Sequence, residues 1–227
     1  MEQIGFIGAY DKKDLLLNIA KVITKLNKSV LIVDATIMQR LRYIIPRISN
    51  TPTYVSEYDG IDVAVGFMNL AGIAKYLGKT NLDYDLVLID TDNPQTMSSF
   101  MVQNSKINFY VTSYDEFELQ RNLEILSVIK SPISLIKLVI SSNIENKHDE
   151  YLDHLLENFN MSWREEKIIF PDTDFDRGVT LSNQITKQIN VKNYSPTYRD
   201  GLEYLVSLIL EGSVDQASIR RIINRKV

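Results

Sequence analysis

The sequence predicts an α/β protein, a mostly parallel sheet with helices on both faces. Three observations predict it. Short runs rich in Val, Ile and Leu recur along the chain, segments of helical period separate them, and most runs are apolar on both faces, as strands covered from two sides must be. Strand–helix–strand repetition of this kind closes into a parallel sheet through right-handed crossovers. The 227 residues suffice for one sizeable core. With no linker, low-complexity tract or internal repeat, residues 1–227 read as one domain whose last part, about 197–227, is helical.

In chain order, the strand candidates are "QIGFIG" (3–8), "SVLIVDA" (29–35), "YDLVLIDT" (84–91), "INFYVTS" (107–113), "LIKLVISS" (135–142) and "EKIIFP" (166–171), the last stopped by its proline. "TYVSEYDGIDVAVGF" (53–67) breaks the rhythm and reads as two short strands around a "YDG" turn. Over 15–26, Leu15, Ile19, Val22, Ile23 and Leu26 share a helical face, with Asp14 as its N-cap. Over 116–129, Phe117, Leu119, Leu123, Leu126 and Ile129 pack while Glu118, Arg121 and Glu124 face water. Further helices are expected over 151–159, 181–189 and 198–210, and a shorter one from Asp215.

Composition narrows the function classes. Charged residues are 24% of the chain and the net charge is −4, which disfavours a protein that coats nucleic acid, since neutralising phosphates needs a Lys/Arg excess. There are no cysteines, so disulfides and thiolate metal sites are excluded. The N-terminus is not a signal peptide, and no apolar run approaches the roughly 20 residues that span a bilayer. The expectation is a cytoplasmic protein.

In a sheet of this class, ligands bind at the carboxyl ends of the strands. Gly8 to Asp14 follow the first strand, Asp34 ends the second, and Asp90 and Asp92 end the strand "DLVLI". Two such aspartates could hold Mg²⁺ through oxygen ligands, or could simply cap the turns that follow. The phosphate-cradling pattern is G-x-x-x-x-G-K-[ST]. Aligned on "LLLNIA", Lys12 takes the place of its lysine, Asp11 that of the preceding glycine, and Lys13 that of the hydroxyl residue. Asp11 brings a carboxylate to an anion site, and Lys13 cannot ligate Mg²⁺ as a hydroxyl does. A helix N-terminus with two lysines nonetheless attracts anions.

The order "IGFIGAYDKKDLLLNIAKVITKLNKSVLIVDAT … YDLVLIDTDNP … FYVTSYDEFELQRNLEIL … KLVISSN … IIFPDTDFDRGVTLSNQI" resembles the MinD/ParA group of deviant-Walker P-loop ATPases over nearly the whole chain. The resemblance implies P-loop NTPase architecture and ATP or ADP with Mg²⁺ as cofactor. It matches Gly8, Lys12 and Lys13 to the phosphate loop, Asp34 to the aspartate that assists water or Mg²⁺, and Asp90 to the metal-binding Walker B position. It further matches Asn143, or a serine just before it, to the adenine loop, and Pro171 with Asp172 to the segment over the base. The group's signature lysine, which reaches the partner subunit's nucleotide, falls on Ile7. That loss, with Asp11 and Lys13, is similar to the altered loops of CpaE- and TadZ-like members. It implies a pseudo-ATPase or weak nucleotide binder, a homodimer with protein partners at a membrane-associated secretion or pilus apparatus. An active ATPase with an unusual loop is the alternative.

The tail "ASIRRIINRKV" (217–227) is a basic amphipathic helix, to be docked on the body or laid on the inner face of an anionic membrane. His148 and His154, six apart, do not share a helical face, so no zinc site is expected. The stretch "TIMQRLRYIIPRIS" (36–49) mixes apolar and basic residues, as a partner surface or a packed helix would.

Overall fold

The computed structural model describes residues 1–47, 50–141 and 146–225. One eight-stranded sheet carries the chain. Its strands are β1 (Glu2–Ile7), β2 (Val30–Asp34), β3 (Tyr54–Tyr58), β4 (Ile61–Val65), β5 (Leu86–Thr91), β6 (Ile107–Thr112), β7 (Ser134–Ile140) and β8 (Ser162–Phe170), in the spatial order β3-β4-β2-β5-β1-β6-β7-β8. All pairs are parallel except β3–β4, the hairpin expected around "YDG". Its turn residues Asp59 and Gly60 both have positive φ, as a tight two-residue connection requires.

Helices cover both faces. On one lie α1 (Lys13–Lys25), α7 (Pro196–Leu210) and α8 (Gln216–Asn224), sharing a core with Ile4, Phe6, Leu88, Phe109 and Leu138. The opposite core gathers Ile7, Ile89, Tyr110 and Val139 with residues of α3 (Pro94–Ser99), α4 (Glu116–Ser127) and α5 (Asn146–Leu156). Two short helices, α2 (Leu70–Tyr76) and α3, begin at Asn69 and Asn93, whose side chains accept from the backbone of Gly72 and Thr96; the apolar pattern gave no sign of either.

Several expectations change. Asp14 does not cap α1: Lys12 holds that position and Asp14 lies in the first turn, paired with Lys13 and accepting from Gln184. Helix α1 is buried almost all round, because α7 and α8 cover the side that a two-layer arrangement would leave wet. Phe117 is 70% exposed, at the very start of α4 where Asp115 caps the helix. The helix expected from residue 181 is α6 (Asp174–Thr186), started by a Thr173 cap that accepts from Asp176. The strand expected from Glu166 begins at Ser162.

The tail docks on the body. Ile219 and Ile223 are buried in the first core, Ile222 packs against it, and Arg220 pairs with Glu203 of α7 at 2.8 Å. Its apolar face is therefore used inside the fold and is not presented to a membrane; Lys226 and Val227 lie outside the described residues. Among the described residues no helix is long and apolar enough to cross a membrane. Ile219→Ala is expected to cost about 2–5 kcal/mol, read as a lowered denaturant midpoint. A tail free of the body would leave that midpoint unmoved.

Candidate functional site

Strand β1 lies between β5 and β6, so the loop from Gly8 to Lys12 leaves the middle of the sheet at its carboxyl edge. Gly8 has φ +143°, and a Cβ there would sit 2.0 Å from the Val111 carbonyl oxygen of β6, so no other residue fits. Its N–H donates to the Thr91 carbonyl at 3.0 Å. The buried Asn122 of α4 fastens the next residue: its Oδ1 accepts from Ala9 N at 2.7 Å and its Nδ2 donates to Val111 O at 3.2 Å.

Lys12 turns back into this loop. Only 1% exposed, its Nζ donates to the Gly8 carbonyl and, at 3.0 Å, to the Tyr10 carbonyl, and pairs with Asp90 Oδ1 at 2.9 Å. A buried ammonium persists only with such partners. Burial pushes the Asp90 carboxyl up to about 7; the Lys12 charge opposes that rise and neighbouring Asp34 adds to it. Asp34 stands directly beside Asp90 in the β2–β5 register. Its Oδ1 accepts from Thr36 N at 3.2 Å and Thr36 Oγ1 at 2.6 Å, and its Oδ2 from Leu41 N at 3.0 Å. Burial raises its pKa and these bonds hold it back. Asp34 thus caps the turn that follows β2, one of the two roles open from sequence.

Asp11 lies in the loop beside them. It accepts from Lys13 Nζ, from Lys13 N at 3.3 Å and from Arg40 Nη1 at 2.7 Å. Burial alone would raise its carboxyl, but Lys13 and Arg40 outweigh that and hold it below the ordinary range. Lys13 also pairs with Asp14 at 3.1 Å. Burial would lower the Lys13 ammonium, and Asp14 and Asp11 reverse that.

Two cavities meet at Tyr10, Asp11 and Lys13. The larger, about 330 Å³, has Asp34, Asp90, Arg40 and Arg121 in its wall. Its cations Lys12, Lys13, Arg40 and Arg121 face four carboxyl groups, Asp11, Asp34, Asp90 and Asp92, of which Asp90 is partly protonated near neutral pH, so any surplus positive charge is small. The smaller, about 200 Å³, is bounded by Pro171 and Asp172. Asp172 there is held by Arg177, which donates from Nε at 2.9 Å and Nη2 at 2.6 Å. Burial and the nearby Asp172 charge raise the Tyr10 hydroxyl.

The structure therefore brings Gly8, Lys12, Lys13, Asp34 and Asp90 together, and places Pro171 and Asp172 next to them. Asn143 lies outside the described residues. Ile7, at the signature-lysine position, is fully buried. Sequence reasoning missed Tyr10, Arg40, Asn122 and Arg177; the basic stretch around Arg40 was the one available signal. Among the described residues no group of three or more His, Asp or Glu could hold a metal ion. As folded, the loop does not fit Mg²⁺-polyphosphate: its lysine is engaged by its own carbonyls and Asp90, and Asp11 engages Lys13 and Arg40.

This architecture has solved counterparts. A ParA family ATPase from Chlorobium tepidum TLS superposes with a TM-score of 0.59 over 91% of this chain and 98% of its own, at 12% identity. MinD in the MinC:MinD cell division complex of Aquifex aeolicus gives 0.56 over 100% and 97%, at 14% identity. The Pyrococcus furiosus cell division ATPase MinD gives 0.54 over 92% and 98%, at 13% identity. The chain has the ParA/MinD fold. At such identities the likeness speaks for the fold alone. No protein-family model matches the sequence, and no curated protein sequence matches it.

Asp90 gives a pH test. Its folded pKa of about 7 exceeds the unfolded value of 3.8, so the native state binds the extra proton between them. This contribution is fully present below pH 3.8 and is lost as pH rises through 7. Between about pH 4 and 8 the urea midpoint of the parent protein should therefore fall relative to that of Asp90→Asn, and a constant difference between the two would contradict this.

Proposed function

We propose that this chain is a relative of the MinD/ParA ATPases that acts by binding protein partners without turning over ATP. Its role in this reading is that of a localisation, assembly or regulatory factor for a membrane-associated apparatus. The single observation that carries it is the internal engagement of the phosphate loop, with Lys12 closed on Gly8, Tyr10 and Asp90 and with Asp11 held by Lys13 and Arg40. The resemblance to CpaE- and TadZ-like proteins supports a secretion or pilus machine as that apparatus. Homodimerisation belongs to the proposal, because Ile37, Met38 and Phe117 stand exposed around the larger cavity, as an apolar rim that a second copy would cover. DNA is left out on the net charge of −4, although one structural neighbour is a pNOB8 ParA bound to nonspecific DNA.

One observation favours a second reading, an active ATPase: Lys12, Asp34 and Asp90 are retained together at one cavity. Calorimetry separates the two. Titrating Mg-ATP into the purified protein should give no binding heat. Asp11→Gly, which frees Arg40 and leaves Lys13 only its Asp14 partner, should gain it, and adding Lys12→Ala should abolish the gain. Mg-dependent turnover by the unaltered protein, lost in Lys12→Ala, would establish the ATPase instead.

A further inference from the structure

A third cavity lies far from the phosphate loop, where the C-terminal half of α1 meets the segment 189–192 and the end of α8. Its volume is about 340 Å³, within the roughly 300–1,000 Å³ of ordinary ligand sites. Lys21, Lys25, Lys192 and Arg225 surround it, and among the described residues no carboxylate lines it. Lys21 is engaged: it pairs with Asp59 Oδ2 and donates to the Asp59 carbonyl, both at 2.7 Å. Lys25, Lys192 and Arg225 have no carboxylate at ion-pair distance among the described residues. The apolar part of the lining is aliphatic: Ile222 is partly exposed there and the edge of Val191 reaches the surface, over the core residues Val22 and Ile223.

The wall is built rather than incidental. Asp59, at the tip of the β3–β4 hairpin, holds Lys21 and also accepts from Ile189 N at 2.7 Å, so one carboxylate clamps α1 to the segment 189–192. In a chain of net charge −4, three uncompensated cations on one rim are a local reversal of sign.

We infer that this cavity is a docking site for an acidic segment of a partner protein, one that sets Asp or Glu beside Leu- or Val-like side chains. The carboxylates would meet Lys25, Lys192 and Arg225, and an aliphatic side chain would pack on Ile222 and the edge of Val191. Concavity decides against a membrane, whose surface is bound by apolar side chains that protrude, whereas Ile222 and Val191 line a cavity. The aliphatic floor decides against nucleic acid, whose backbone offers charge and no apolar group to fill it. The inference does not rest on the state of the phosphate loop.

Fluorescence anisotropy tests it on the full chain, with a labelled synthetic peptide alternating pairs of glutamate and leucine. A version with lysine for glutamate, phosphatidylglycerol vesicles and duplex DNA serve as comparison probes. The acidic peptide should bind, the lysine version should not, and raising salt from about 50 mM to about 500 mM should weaken binding. Lys25→Glu/Lys192→Glu should weaken it about tenfold or more, with Lys25→Gln/Lys192→Gln between. Both variants change rim residues away from the core, and circular dichroism checks their fold. No binding of the acidic peptide, binding indifferent to charge reversal, or capture of vesicles or DNA by Lys25 and Lys192 in its place would overturn the inference.

Discussion

The Lys12 ammonium, almost wholly buried at the head of α1, is the interaction on which the rest of the site depends. Burying a charge costs several kcal/mol unless it is paired and hydrogen-bonded, and two constraints of the fold supply the partners here. The Gly8 and Tyr10 carbonyls reach it because Gly8 adopts a backbone conformation that no side chain would tolerate against Val111. Asp90 reaches it because β5 runs parallel beside β1. Asp34 is then brought beside Asp90 by the β2–β5 register, and its charge adds to the rise of the Asp90 carboxyl. The raised Asp90 carboxyl is the electrostatic consequence.

Around that pair the molecule has balanced its charges rather than left them for a ligand. Asp11 occupies Lys13 and Arg40, and the larger cavity carries equal numbers of cations and carboxyl groups. A polyphosphate entering it would have to break the Lys12–Asp90 contact and displace Asp11 before gaining any charge of its own to meet. The third cavity shows the opposite arrangement, with a one-sign rim over an aliphatic floor. The same fold thus carries a neutralised site at the carboxyl edge of the sheet and an unbalanced one at the far end of α1.

Much of the fold was legible in the residues, for physical reasons that also explain the failures. Parallel strands buried on both faces announce themselves as doubly apolar runs, and β1, β2, β5, β6 and β7 appear where those runs lie. The start of α6 did not, because "PDTDFDRG" is polar and its signal is the Thr173 side chain at the cap. Phe117 looked like a core residue by spacing, yet the helix begins at Glu116 and leaves it at an exposed end. Within the site, Asp11, Lys12 and Lys13 were legible as departures from a known pattern, since that pattern is local in sequence. The contact that fixes Asp11 was not: Arg40 arrives from 29 residues away through an irregular segment with no period to read.

The account turns on where Lys12 and Asp11 point when nucleotide is offered. The direct measurement is a crystal structure of the protein grown with Mg²⁺ and a non-hydrolysable ATP analogue at high concentration. The account predicts Lys12 still on the Gly8 carbonyl and Asp90, Asp11 still on Lys13 and Arg40, and no nucleotide density in the larger cavity. An analogue bound there, with Lys12 turned onto its phosphates and Asp11 swung away, would contradict it.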